Sequence, residues 1–163
     1  MQPWLHYAGE GKAMNWLLLA YKIPREPSAN RVYVWRKMKQ LGAVLLQDAV
    51  WVLPDSARTR EQFQWLAAEI TELGGEATMW ESSLIYATDE QALRRQFEEP
   101  VEAAYREILQ GVKHSKRDLA GLSKRYQQVQ AQDFFHNQLG QQVRDKLLSA
   151  KETSTKPRRG RKS

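Results

Sequence analysis

The stretch Asn15-Trp16-Leu17-Leu18-Leu19-Ala20-Tyr21-Lys22-Ile23 is an apolar, aromatic run that stops at Pro24. Its length and composition read as a β-strand buried on at least one face. Pro24 and Pro27 keep the exit extended, and Ser28 stands where a helix N-cap is wanted. Over residues 29–41 the side chains of Val34, Trp35, Met38 and Leu41 share one helical face, and Gly42 follows as a helix-ending residue. Two short strands, residues 43–46 and 50–53, then flank Gln47-Asp48-Ala49, the turn of a hairpin closed by Pro54. Asp55 or Ser56 caps a second helix, in which Phe63, Leu66, Ala67, Ile70 and Leu73 keep helical spacing before Gly74-Gly75 stops it. Residues 77–80 form a fourth strand.

The order strand, helix, strand, strand, helix, strand predicts the split βαβ arrangement of ferredoxin-like folds (βαββαβ). The class is α+β, an antiparallel sheet with helices on one face. After Asp89 the pattern is helical. Leu93 and Phe97 share a face, Pro100 fits the first turn of a new helix, and Val101, Tyr105, Ile108 and Val112 carry the stripe onward. Leu119, Leu122, Tyr126 and Val129 mark another helix, and Leu139, Val143 and Leu147 the last. The expected organisation is an irregular leader (1–14), a domain over 15–148 made of a sheet core (15–88) and additional C-terminal helices (89–148), and a disordered basic tail (149–163).

With 163 residues and 42% hydrophobic content, the chain can bury one substantial core. It has no Cys, which excludes disulfides, iron–sulfur clusters and cysteine-ligated zinc. Residues 1–13 lack the apolar centre of a signal peptide, and the longest apolar run, 16–21, is too short to span a bilayer. A cytoplasmic protein is expected. The net charge of +6 is unevenly spread. Residues 1–47 hold seven basic and two acidic side chains, 48–102 four and twelve, 103–150 eight and four, and 151–163 six and one.

Several segments in order resemble a known family. Trp16-Leu17-Leu18-Leu19, Pro27-Ser28-Ala29-Asn30-Arg31-Val32-Tyr33-Val34-Trp35-Arg36, Leu41-Gly42-Ala43 and Val50-Trp51-Val52-Leu53-Pro54 are similar to the opening of ChrB proteins, and Ala131-Gln132-Asp133-Phe134-Phe135 to an acid–aromatic segment further on. The resemblance covers roughly residues 15–148. It implies a ferredoxin-like fold and a role in transcriptional control of bacterial chromate-resistance genes, with chromate as the signal. Longer members continue into a second domain, and the function residing there is not implied for this chain. The topology also resembles the nuclease-like subunit of CRISPR spacer integration and the middle domain of phenylacetate repressors. The nuclease group places a metal-binding carboxylate near the end of its first strand, whereas Ala20-Tyr21-Lys22-Ile23 offers a lysine and no acid.

Arg31 is the foremost candidate residue. Helical geometry places it within the face of Val34, Trp35 and Met38, and an arginine aimed at a core needs an anionic partner. One reading is an oxyanion or phosphate site at the N-terminus of this helix, where free N–H groups add positive potential and the guanidinium suits chromate. The other is a salt bridge to Asp48 or Glu81. Arg36, Lys37 and Gln40 fall on the opposite face and, with Lys22, Arg25 and Lys39, form either a phosphate-binding patch or an ordinary solvated face. Lys113, Lys116, Arg117, Lys124 and Arg125 cluster around His114 and interleave with Tyr126, a pattern able to follow a nucleic-acid backbone or an acidic protein. Arg158, Arg159 and Arg161 belong to a nonspecific nucleic-acid arm or a solubilising end. Trp65 lies off its helix's apolar stripe, covered by the C-terminal helices or exposed for a dimer partner.

His6, His114 and His136 are too far apart in sequence for a metal site, no glycine-rich phosphate loop is present, and no nucleophile–base–electrophile set assembles. No metal or cofactor is expected. The reading is a non-enzymatic regulatory module that binds DNA or an oxyanion and forms a homodimer through a free sheet edge, with no membrane contact. The alternative is a protein-interaction or dimerisation domain that never touches nucleic acid.

Overall fold

The computed structural model describes residues 14–85, 90–114 and 118–155. It divides into two compact units at Glu90. The first holds β1 (Asn15–Lys22), α1 (Ser28–Leu41), β2 (Val44–Gln47), β3 (Val50–Pro54), α2 (Ala57–Glu72) and β4 (Glu76–Ser83). The second holds α3 (Glu90–His114), α4 (Leu119–Gln130) and α5 (Gln138–Thr155).

The four strands form one antiparallel sheet in the order β2-β3-β1-β4. This is the α+β, ferredoxin-like arrangement expected from the element order. The first strand sits inside the sheet with partners on both edges, and its apolar run reflects that position. Leu17 pairs with Leu53 and Leu19 with Trp51, and all four are buried. Residues paired across antiparallel strands share a face. The helices pack on this one: Lys39 of α1 lies 5.9 Å from the Trp51 ring centroid, and Arg60 of α2 reaches Glu81, the partner of Leu17, at 3.1 Å. The helices contribute Val34 and Met38 from α1 and Phe63, Leu66 and Ile70 from α2 to the core.

Local signals explain most element ends. Ser56 Oγ accepts the Thr59 N–H at 3.1 Å and Thr59 Oγ1 accepts the Ser56 N–H at 3.0 Å, so α2 opens on a reciprocal capping box. Thr59 is buried, and its hydroxyl also donates to the Pro54 carbonyl at 2.6 Å, tying α2 to the end of β3. The two glycines after α2 answer different needs. Gly74 adopts φ +82°, the left-handed region, whereas a Cβ on Gly75 would stand 2.5 Å from the Lys22 carbonyl oxygen. Ser28 is not a cap: α1 begins at Ser28 behind Pro27, with no side-chain hydrogen bond at its N-terminus.

The structure departs from the sequence reading in three further places. β4 runs over eight residues instead of four, because β1 pairs with it along its whole length, from Asn15↔Ser83 to Lys22↔Glu76. Polar Glu76, Ser82 and Ser83 hide those ends from an apolar pattern. Pro100 lies within a continuous α3 instead of opening a new helix. It forfeits one backbone hydrogen bond, at about 3 kcal/mol, while Phe97, Val101, Ala104, Tyr105 and Ile108 bury a stripe running through the proline. Finally, α5 continues to Thr155, so positions 149–155 of the expected disordered tail are helical.

In the second unit, Val101, Tyr105, Ile108, Val129, Val143 and Leu147 form the core. Asp133, in the connector between α4 and α5, fastens three elements together. Its carboxylate accepts the Tyr105 hydroxyl and the Asn137 backbone N–H, each at 3.0 Å. Asn137 Oδ1 accepts the Leu139 N–H at 2.9 Å, capping α5, and Asn137 Nδ2 donates to Glu102 of α3 at 3.1 Å. Phe134 and Phe135 meet Phe97 edge-on, with centroids 5.9 and 6.2 Å apart. The acid–aromatic segment is therefore a structural latch.

Two sets of substitutions test this packing. Phe63→Ala is expected to cost about 3–5 kcal/mol, read as a lower urea midpoint. Asp133→Ala, which leaves the Tyr105 hydroxyl buried without its acceptor, is expected to cost about 1–3 kcal/mol, and Tyr105→Phe about 1. Burial, reinforced by the Asp133 charge, raises the Tyr105 pKa above its usual value. The folded state then holds a proton that the unfolded state loses above about pH 10. Stability is expected to fall as the pH rises past that point, and Tyr105→Phe to remove this part of the slope.

Candidate functional site

Helix α1 holds Arg31, Arg36, Lys37 and Lys39 and not one acidic residue. It also lacks a capping side chain and a first-turn carboxylate, leaving its N-terminal N–H groups free of a competing anion. Elsewhere in the described residues three arginines pair with acids, whereas Arg58 and Arg95, each with acids three or four residues away, form no salt bridge. Arg60 bonds Asp55 at 2.7 Å and Glu81 at 3.1 Å, Arg94 bonds Glu98 at 2.8 Å, and Arg106 bonds Glu102 at 3.3 Å. Within α1 no acid stands at i±3 or i±4 with which its cations could pair.

The structure places Arg31 differently from the sequence reading. Its side chain is exposed and does not point into the core. That expectation counted Trp35 as a core residue, whereas Trp35 is 49% exposed and Val34 and Met38 alone are fully buried on α1. The core direction is rotated away from Arg31, which flanks it. Neither acid considered as its partner serves. Glu81 is engaged by Arg60, and among the described residues Arg31 makes no salt bridge to Asp48. Instead, Arg31 lines a shallow groove of about 310 Å³ with Ser28, Val32 and Trp35. Lys39 lies 5.6 Å from the centroid of the Trp35 ring.

Arg36 is exposed, and Lys37 rests 5.4 Å from the Tyr33 ring centroid. Tyr33 in turn donates to Glu69 of α2 at 3.0 Å, so this flank of α1 faces the second helix. Arg31, Ser28 and Trp35 therefore lie on the other flank.

In the second unit, Lys113, Lys124 and Arg125 are exposed and form no salt bridge among the described residues. Lys113 ends α3, where a cation complements the helix dipole. Tyr126, next to these cations in sequence, is half-buried. It packs on the core, its ring 6.1 Å from that of Tyr105. Lys116 and Arg117 lie outside the described residues, as do Arg158, Arg159 and Arg161. Trp65 is exposed, with 67% of its surface open and its indole N–H 3.4 Å from Glu61. No helix among the described residues is long and apolar enough to cross a membrane.

Comparison with known proteins supplies the identity. The family model described as "Protein ChrB, N-terminal" matches residues 31–121, from the groove arginine into α4. Protein ChrB of Cupriavidus metallidurans is 36% identical over 76 residues, which is 47% of this chain and 23% of that protein. The chain thus aligns to about a quarter of its relative's length. No solved structure matches. The Asp133 latch falls beyond the matched residues, and the α1 cations fall within them. With more than half of its length matched, this chain belongs to the family of ChrB N-terminal domains.

Proposed function

We propose that the chain is a non-enzymatic regulatory module of the chromate-resistance type, acting through contacts to DNA phosphates or to a tetrahedral oxyanion. The observation that carries this reading is α1, with four cations, no acid and a groove-lining arginine without a carboxylate partner among the described residues. A guanidinium in that position keeps its donor fork available for phosphate or chromate. Lys113, Lys124 and Arg125 supply a second basic surface in the other unit. Such contacts position a polyanion without reading its sequence, so affinity is expected to depend steeply on salt. The family's role in chromate resistance and gene control, implied by the resemblance, supports the same reading.

A salt-titrated mobility shift on duplex DNA tests it. The full chain is expected to bind, and a chain ending at Thr155 to bind more weakly with a shallower salt dependence. Arg31→Ala with Arg36→Ala, and Lys124→Ala with Arg125→Ala, are each expected to flatten the slope by about 0.9 for every phosphate no longer neutralised. Titration with chromate and with sulfate, read by tryptophan fluorescence, covers the oxyanion. Absence of binding by every form to duplex, chromate and sulfate would overturn the proposal in favour of a protein-interaction domain. Exposed Trp65 would then be the natural starting point.

A further inference from the structure

The groove on α1 has an order of its own. Arg31, Trp35 and Lys39 stand at i, i+4 and i+8, so they form a single column along the helix, cation, indole, cation, with about 6 Å between successive members. Lys39 Nζ lies over the rings of both Trp35 and Trp51. Ser28 and Val32 complete the lining of the groove. Nearly half of the Trp35 surface remains open to solvent.

We infer that this column binds single-stranded nucleic acid, with an unpaired base stacked on the Trp35 surface away from Lys39 and the adjoining phosphate held by Arg31. The inference rests on the proposed anion-binding role of α1 and names the ligand that its groove fits. A polynucleotide strand alternates a planar ring with a negative charge, and the column offers the complementary alternation. Stacking platforms flanked by positive charge are the common means of binding such strands without sequence preference. Duplex DNA offers the phosphates but keeps its bases stacked, so it reaches Arg31 and leaves the indole unused. An acidic peptide satisfies the cations but brings no planar face. The absence of any carboxylate on α1 removes a source of repulsion to the backbone.

Trp65 provides an internal control. It is more exposed than Trp35, but it hydrogen-bonds Glu61 and stands in the acidic part of the chain, where a phosphate would be repelled.

The test is fluorescence-quenching titration of the full chain with oligothymidylate, oligouridylate, a duplex of matched length, inorganic polyphosphate and an acidic peptide. Trp35→Ala, Trp35→Phe, Arg31→Ala and Trp65→Ala are compared with the unsubstituted chain, each checked for an unchanged thermal melt. Oligothymidylate and oligouridylate are expected to bind more tightly than polyphosphate of equal charge. Trp35→Ala should weaken them about tenfold, because one base no longer stacks. Trp35→Phe should restore most of the affinity, Arg31→Ala should reduce it and flatten the salt dependence, and Trp65→Ala should change nothing. The two oligonucleotides separate DNA from RNA as the source of the strand. Equal binding of polyphosphate and oligonucleotide, untouched by Trp35→Ala, would overturn the stacking site while leaving the cationic surface standing. An acidic peptide that quenches Trp35 where the oligonucleotides do not would also overturn it. Loss of all anion binding would remove both readings.

Discussion

Strand β1 is hydrogen-bonded on both of its edges, and the placement of everything functional in the first unit depends on that constraint. With β3 on one side and β4 on the other, Leu17 and Leu19 are committed to a single face, and α1 and α2 must cover it. Helix α1 therefore has one direction fixed by Val34 and Met38. Its remaining surface is turned to solvent or towards α2, and every charged residue on it is basic. The sheet thus displays a positively charged helix by requiring so few of its residues for the core.

That display costs the fold little. An exposed guanidinium in water loses little by lacking a partner, while surface ion pairs such as those of Arg94 and Arg106 contribute only modestly to stability. Folding stability therefore does not require an acid on α1. Repulsion among four cations at close helical spacing even weakens the isolated helix slightly. Two contacts with aromatic rings, Lys37 on Tyr33 and Lys39 on Trp35, offset part of this.

Much of the fold was legible in the sequence because its decisive signals are local. The Leu17–Leu19 run, the periodic Phe63, Leu66 and Ile70, and the Gly74-Gly75 stop each act within a few residues of themselves. Long-range pairing was less visible. β4 extends to Glu76 and Ser83 because β1 templates it, and nothing in those polar residues announces a strand. Helix α3 passes through Pro100 because the buried stripe around the proline outweighs one missing hydrogen bond. At the site, Arg31 and Arg36 were identifiable as candidate anion-binding cations, but the orientation of Arg31 was not. Trp35 resembles a core residue at helical spacing, and only the packing of Val34 and Met38 against the sheet reveals that it lies outside. A tryptophan followed at once by Arg36 and Lys37 was the available hint. The latch at Asp133 was visible as a family segment, though its role required the geometry of Tyr105 and Asn137.

Whether α1 offers its cations to an external anion is tested most directly by chemical-shift mapping. Backbone amides and arginine side-chain Nε–Hε groups are followed as a phosphate-bearing ligand is added. The largest changes are expected at the first turns of α1 and at the Arg31 and Arg36 guanidinium groups, with Arg60 unmoved in its pairing to Asp55 and Glu81. Changes spread evenly over every exposed lysine and arginine, or confined to residues outside α1, would contradict it.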